Sequence, residues 1–207
     1  MIVRTKLLPR TEHVRDAWLC VIVTEGEKTE PQYFDGLQRL DIIPRSRVKV
    51  EVIPPDPEKH DSSPNHVCSR ADAFMTSYEL SPGIDQLWLV LDVDRWGGNH
   101  LAATVHHAEC RQYRLAISNP GFETWLLLHH TDDLTGIATS AHCEQRLRNT
   151  LGSYNKSSLD LTRFPPDTIR TAMTRARQVT PDLRGWPQKP GTQVYALLET
   201  LLPTSAS

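Results

Sequence analysis

Nowhere in this chain do two cysteines stand at C-x-x-C spacing, and only four cysteines occur in 207 residues. Cys20, Cys68, Cys110 and Cys143 are scattered, which argues against a disulfide frame or a paired-thiol zinc site and predicts reduced, mostly buried thiols. No apolar run approaches the roughly 20 residues that a membrane-spanning helix needs. Residues 1–16 are polar and charged, so no secretory signal is expected there and the expected compartment is the cytoplasm. Internal repeats and low-complexity segments are also missing. What remains is ordinary for a soluble globule: 39% hydrophobic residues, in a length that suits one domain, or one domain with an extension.

The net charge is only -2, but the charges are unevenly placed. From Ser140 to Pro190 there are nine Lys or Arg and four acids, a balance of +5, so the remainder carries -7. An acidic part joined to a basic part suits a polyanionic substrate, because phosphates need steering toward carboxylates. A solvated helical surface with surplus arginine explains the same pattern.

The acidic part is organised. Cys20-Val21-Ile22-Val23 runs into Thr24-Glu25-Gly26-Glu27-Lys28-Thr29-Glu30, and Leu87-Trp88-Leu89-Val90-Leu91 runs into Asp92-Val93-Asp94-Arg95. Each apolar run is short and rich in β-branched or aromatic residues, as a buried parallel strand should be. Sites of open α/β sheets form at the carboxyl ends of such strands. Several carboxylates brought to one sheet edge repel one another unless a positive charge sits between them, and a divalent metal with oxygen ligands is the simplest occupant. Gly26 is expected to let the backbone turn so that Glu25 projects from the edge.

Coarse periodicity predicts strands at Trp18–Thr24, Val48–Ile53, Leu87–Leu91 and Tyr113–Ile117. Helices are predicted after each: around Tyr33–Leu40, Val67–Tyr78, Leu101–Arg111, and after the turn at Ser118–Gly121. Thr29 with Gln32 reads as a capping box, and Pro31 fits a first helical turn. The tail reads as three helices, capped by Ser140, begun by Pro165-Pro166-Asp167, and running from Thr192 to Leu201. Arg170, Arg175 and Arg177 are expected to point away from the apolar face of the second. The alternation predicts an α/β fold, a parallel sheet flanked by helices, with a core over 1–135 and a helical C-terminal extension over 136–207 covering one side of it.

Three blocks carry a resemblance: Val23-Thr24-Glu25-Gly26-Glu27-Lys28-Thr29-Glu30-Pro31-x-Tyr33-Phe34, Trp88-x-Val90-x-Asp92-x-Asp94, and Ile117-Ser118-Asn119-Pro120-x-Phe122-Glu123-x-Trp125-Leu126-Leu127-x-His129. The strand ending in Glu-Gly and the later strand ending in Asp-x-Asp resemble a Toprim domain. The three blocks together resemble the RloB family, encoded beside bacterial restriction and phage-defence systems. Weaker echoes stand at Tyr154-Asn155-Lys156-Ser157 and Pro190-Gly191-Thr192. The resemblance implies a Toprim-like fold and a Mg²⁺- or Mn²⁺-dependent nuclease, with RNA, tRNA included, slightly favoured over DNA as substrate. It implies Glu25 as metal ligand or general base, Asp92 and Asp94 as metal ligands, and Glu123 as ligand of a second metal. Lys28 or Lys156 would neutralise charge on the phosphate, and His129 would approach the site. A defence-system partner protein and a homodimer are further implied expectations.

Two other readings stay open. Asp92-x-Asp94 after an apolar strand also fits a HAD-like phosphatase, with Asp92 as nucleophile and Asp94 as acid. A non-catalytic, nucleotide-sensing partner of a defence complex is the second. Gly26-Glu27-Lys28-Thr29 lacks the earlier glycine of a phosphate-binding loop. His106, His107 and Cys110, and His130, Asp132 and Asp133, are read as surface or core residues. Trp96 and Tyr154 are candidates for stacking on bases, and the loop from Arg95 to Asn99 for closing over a ligand.

Overall fold

The computed structural model describes residues 17–56, 64–94 and 98–203. The expected loop at Asp56–Asn65 therefore falls partly, and Arg95, Trp96 and Gly97 wholly, outside the described residues. Strand β1 spans Trp18–Thr24, β2 Val48–Ile53, β3 Gln86–Asp92, β4 Arg114–Asn119 and β5 Gly191–Thr192. Helices are α1 Thr29–Arg39, α2 Pro64–Ser77, α3 Gly98–Arg111, α4 Glu123–Leu128, α5 Ser140–Leu151, α6 Pro166–Val179 and α7 Val194–Leu201, with a 3₁₀ turn at Leu161–Arg163.

The five strands form one sheet in the order β2-β1-β3-β4-β5. The first four are parallel, and β5 runs antiparallel to β4. A mostly parallel sheet with helices on both faces is an α/β architecture that agrees with a Toprim-like fold.

Residue alternation explains the layering. In β1, Cys20 and Ile22 face one way and Leu19, Val21 and Val23 the other, all buried. The first set shares a core with Tyr33, Phe34, Trp125, Leu147, Ile169 and Leu198, from α1 and the helices after β4. The second set shares a core with Val67 and Phe74 of α2 and Leu101 and Val105 of α3. Burial on both faces is why the central strands read as unbroken apolar runs. Helix α4 is buried along its whole length, Glu123 included, and this draws a carboxylate into the interior.

Several local expectations need correction. Thr29 does not build a capping box: Lys28 is the N-cap of α1 and no side chain caps it. Thr29 instead donates to the Lys156 carbonyl, and Gln32 to the Lys28 carbonyl, because the tail packs there. Helix α5 is capped by Thr139, whose side chain accepts the His142 N–H, one residue before the expected Ser140. Strand β5 occupies what reads as the start of the last helix. Thr192 is drawn into the sheet by contacts distant in sequence: its hydroxyl meets Ser118 Oγ at 2.8 Å, and its N–H donates to Thr180 Oγ1. Arg175 does not face away; its guanidinium donates to the Leu128 carbonyl and so satisfies the end of buried α4.

The other arginines of the tail are similarly committed. Arg146 donates to the Asp133 and Thr135 carbonyls, Arg148 pairs with Glu144, Arg163 with Asp160, and Arg177 with Glu199. The positive excess is therefore distributed over local partners and does not form a single bare stripe. No helix among the described residues is long and apolar enough to cross a membrane.

Candidate active site

The ends of β1 and β3 lie side by side because Thr24 pairs with Val90 in the sheet. One step beyond, Glu25 N–H donates to the Val90 carbonyl, extending the ladder. The side chain of Glu25 then reaches across, and its Oε2 accepts the Asp92 N–H at 3.0 Å. The turn after Asp92 is held from the other side, where the Pro120 carbonyl accepts both Val93 N–H and Asp94 N–H. The Asn119–Pro120 peptide bond there is cis. Thus β1, β3 and the Pro120–Gly121 turn after β4 position Glu25, Asp92, Asp94 and Glu123 around one cleft of about 590 Å³.

Lys28 and Lys156 line the same cleft, so the six residues expected from the sequence come together. Glu30, Ser140 and Glu144, to which the sequence assigns no part in a site, line it too, and Tyr154, expected to stack on bases, joins it through its hold on Glu123. Glu30 sits in the first turn of α1 and folds back so that Oε1 accepts the Gly26 N–H. A β-carbon on Gly26 would collide with that carboxylate, so any side chain here would push Glu30 off the Gly26 N–H. Glu30 lay within the first motif, and its position in the first turn of the helix that follows the strand was the available signal. Ser140 and Glu144 come from α5, and only tertiary packing brings them here.

Burial dominates the electrostatics. Glu25, Glu30 and Glu123 are 1, 4 and 3% exposed. Burial pushes the Glu30 carboxyl up to about 7; hydrogen bonds to its carboxylate oppose the rise, and the nearby Glu123 and Glu25 add to it. Asp92 is held well above the usual carboxylate range, first by burial and then by Glu30, Glu25, Glu123 and Asp94. Its Oδ1 is buried without a hydrogen-bond partner, as is Ser140 Oγ beside it. Gly121 lies against both side chains, and a β-carbon there would press on them.

The donor set is all carboxylate oxygen, the chemistry a hard divalent cation takes. Among the described residues, no three His, Cys, Asp or Glu side chains are already gathered as a metal cage. The reason is visible: Glu25 is turned to the Asp92 N–H, Glu30 to the Gly26 N–H, and Asp94 Oδ2 to the Ser140 N–H at 3.0 Å. Glu123 Oε1 receives the Tyr154 hydroxyl. A slightly larger groove of about 670 Å³ runs along β2, but none of these carboxylates lines it.

Two expectations for aromatic and histidine residues change. Tyr154 turns inward to Glu123, away from any stacking role. His129 does not line the cleft; it is buried between Tyr33 Oη (3.2 Å to Nε2) and Thr168 Oγ1 (2.8 Å to Nδ1). Thr168 already donates its hydroxyl to the Pro165 carbonyl. His129 Nδ1–H therefore donates to Thr168, and Nε2 accepts from Tyr33, which makes this a neutral structural histidine. His106 and His107 lie on α3, where His107 Nε2 is 3.0 Å from Asp72 and His106 meets Cys110.

A protein-family model described as RloB-like protein matches residues 20–201, from the first strand through the last helix. No curated protein and no solved structure matches the chain.

Proposed function

Since this chain belongs to the RloB-like protein family, we propose that it is a divalent-cation-dependent nuclease that hydrolyses phosphodiester bonds. The observation that carries this reading is the convergence of Glu25, Asp92, Asp94 and Glu123 on one cleft, with a buried, unpartnered oxygen on Asp92. Burial and the neighbouring acids raise the Asp92 and Glu30 carboxyls, and a cation relieves that repulsion.

Asp92, Asp94 and Glu123 would hold Mg²⁺ or Mn²⁺, with Glu25 as a further ligand or the base. A cation held there would supply a water of lowered pKa and a positive charge facing the phosphate. If it is the base, Glu25, held by the Asp92 N–H, would accept a proton from the attacking water. Lys28 and Lys156 line the mouth of the cleft and neutralise the added charge on the phosphate oxygens. The phosphatase alternative is less well supported. Asp94 Oδ2 already accepts the Ser140 N–H, and burial with the surrounding acids raises the Asp92 carboxyl well above its ordinary range, both unfavourable to an acid–nucleophile pair.

RNA, tRNA included, is proposed ahead of DNA on the family resemblance alone, as are the cytoplasmic setting, the role in antiviral defence, a partner protein and a homodimer. The test incubates the protein and Glu25→Gln with bulk tRNA, single-stranded RNA and duplex DNA, each with Mg²⁺, Mn²⁺ or EDTA. Cleavage that is lost both with EDTA and in the variant supports the nuclease and identifies its polymer. Cleavage that persists in EDTA, or in Glu25→Gln, rules this cleft out as its source.

A further inference from the structure

Residues 152–160, between α5 and the 3₁₀ turn, cross over the N-terminal end of α1 and lay two side chains on Glu123. Tyr154 donates its hydroxyl to Glu123 Oε1 at 3.1 Å. Lys156 Nζ lies 3.5 Å from that same oxygen and 2.8 Å from Glu144 Oε1. Neither contact touches Glu123 Oε2.

This strap is fixed by its own backbone. The Lys156 carbonyl accepts from Thr29 Oγ1 (3.3 Å) and Gln32 Nε2 (3.4 Å), and Leu159 N–H donates to Gln32 Oε1 at 2.8 Å. Glu123 stands in the first turn of α4, a helix buried throughout, so its carboxylate is set by what grips it from the cleft side. The two grips differ in kind. A neutral phenol orients a carboxylate without opposing a cation, whereas an ammonium orients it and competes for the same negative charge.

We propose that Tyr154 is a positioning residue that clamps Glu123 Oε1 and leaves Oε2 for the cleft. In the same device Lys156 is a tethered cation that occupies the Glu123–Glu144 pair until a divalent ion displaces it. Lys156 is then free to meet a phosphate. The device rests on the cation-dependent reading of the cleft and adds to it the strap, Glu144, and a sign for each contact. The tail thereby becomes part of the site, since both grips come from the chain beyond residue 150.

The two side chains make opposite contributions to cation affinity, which a purely structural role would not. Mn²⁺ alone is titrated into the full-length protein at pH 7.5, with free Mn²⁺ followed by electron paramagnetic resonance. Melting in EDTA reports the fold of each variant. Tyr154→Phe is expected to bind Mn²⁺ about tenfold more weakly. Lys156→Met is expected to bind it more tightly, by roughly fivefold. Loss of fold cannot tighten binding, so the lysine variant decides the matter even where the tyrosine variant melts early. Wild-type affinity in Tyr154→Phe, or weakened affinity in Lys156→Met, overturns the assignment. Equal Mn²⁺ binding by wild type and Glu123→Gln removes Glu123 from the site, and the device with it, whereas equal binding by wild type and Asp92→Asn removes the cation reading itself.

Discussion

Glu25 Oε2 accepts the backbone N–H of Asp92 at 3.0 Å, so the first acidic motif holds the second in place across the sheet. A glutamine at 25 can still accept that N–H through its amide oxygen, but it removes a charge from the crowded cleft. Glu25→Gln is therefore expected to fold and to lose at least about 100-fold in cleavage rate, the scale of losing a positioned acid–base group. Circular dichroism melting alongside a tRNA cleavage assay separates the two effects. A variant that cleaves at the wild-type rate would remove Glu25 from the chemistry.

Gly26 and Glu30 are coupled through space. A side chain at 26 displaces the Glu30 carboxylate from the Gly26 N–H and leaves a buried group without its partner. Gly26→Ala is expected to cost about 1–3 kcal/mol, the penalty for a buried polar group left unmade. With Glu30→Ala already present, the same change should cost little, because the carboxylate in the way is gone. Urea unfolding of the four proteins in EDTA completes the cycle. Strict additivity would show that Gly26 is needed for some other reason.

These two pairs also show how far the sequence was legible. The strands could be read because burial on both faces writes them as β-branched or aromatic runs, and the acids could be read because each follows such a run directly. Glu30, Glu144 and the Tyr154 clamp could not be assigned, since their place depends on α1, α5 and the strap meeting in space. Strand β5 was hidden for a similar reason: Gly191-Thr192 has no strand pattern of its own, and joins the sheet through Ser118 and Thr180. His129 misled because it ends a motif block, yet its hydrogen bonds run to Tyr33 and Thr168, behind the cleft. The basic tail misled in charge alone, since its arginines are largely spent on carbonyls and acids nearby.

His129 gives an acid-sensitivity prediction. Burial lowers its pKa from an ordinary 6.5 to about 3, with His130 and Arg175 adding to the shift. The folded state therefore binds fewer protons than the unfolded chain between those values. Its stabilising contribution is complete above about pH 6.5 and is lost as pH falls toward 3, at up to about 1.4 kcal/mol per pH unit. His129→Gln removes this titration. The difference in unfolding free energy between wild type and variant should shrink or reverse as pH drops from 7 to 4. A pH-independent difference would mean that His129 is not buried neutral.

Glu30 gives the opposite slope. Its carboxyl, ordinarily near 4.5, is raised to about 7, so without a cation the folded state binds more protons than the unfolded chain across that window. Stability from this group declines as pH rises from about 4.5 to 7, again by at most about 1.4 kcal/mol per unit. Glu30→Gln should flatten that decline in EDTA, measured as the difference in urea unfolding between wild type and variant at each pH. A divalent cation acts where the carboxylates are ionised, and binding only the folded state raises stability by mass action. Mg²⁺ or Mn²⁺ is therefore expected to raise the melting temperature more at pH 7.5 than at pH 5, with EDTA abolishing the gain. Equal gains at both pH values would place the cation elsewhere, because a protonated Glu30 leaves the cleft with less negative charge at pH 5 than at pH 7.5.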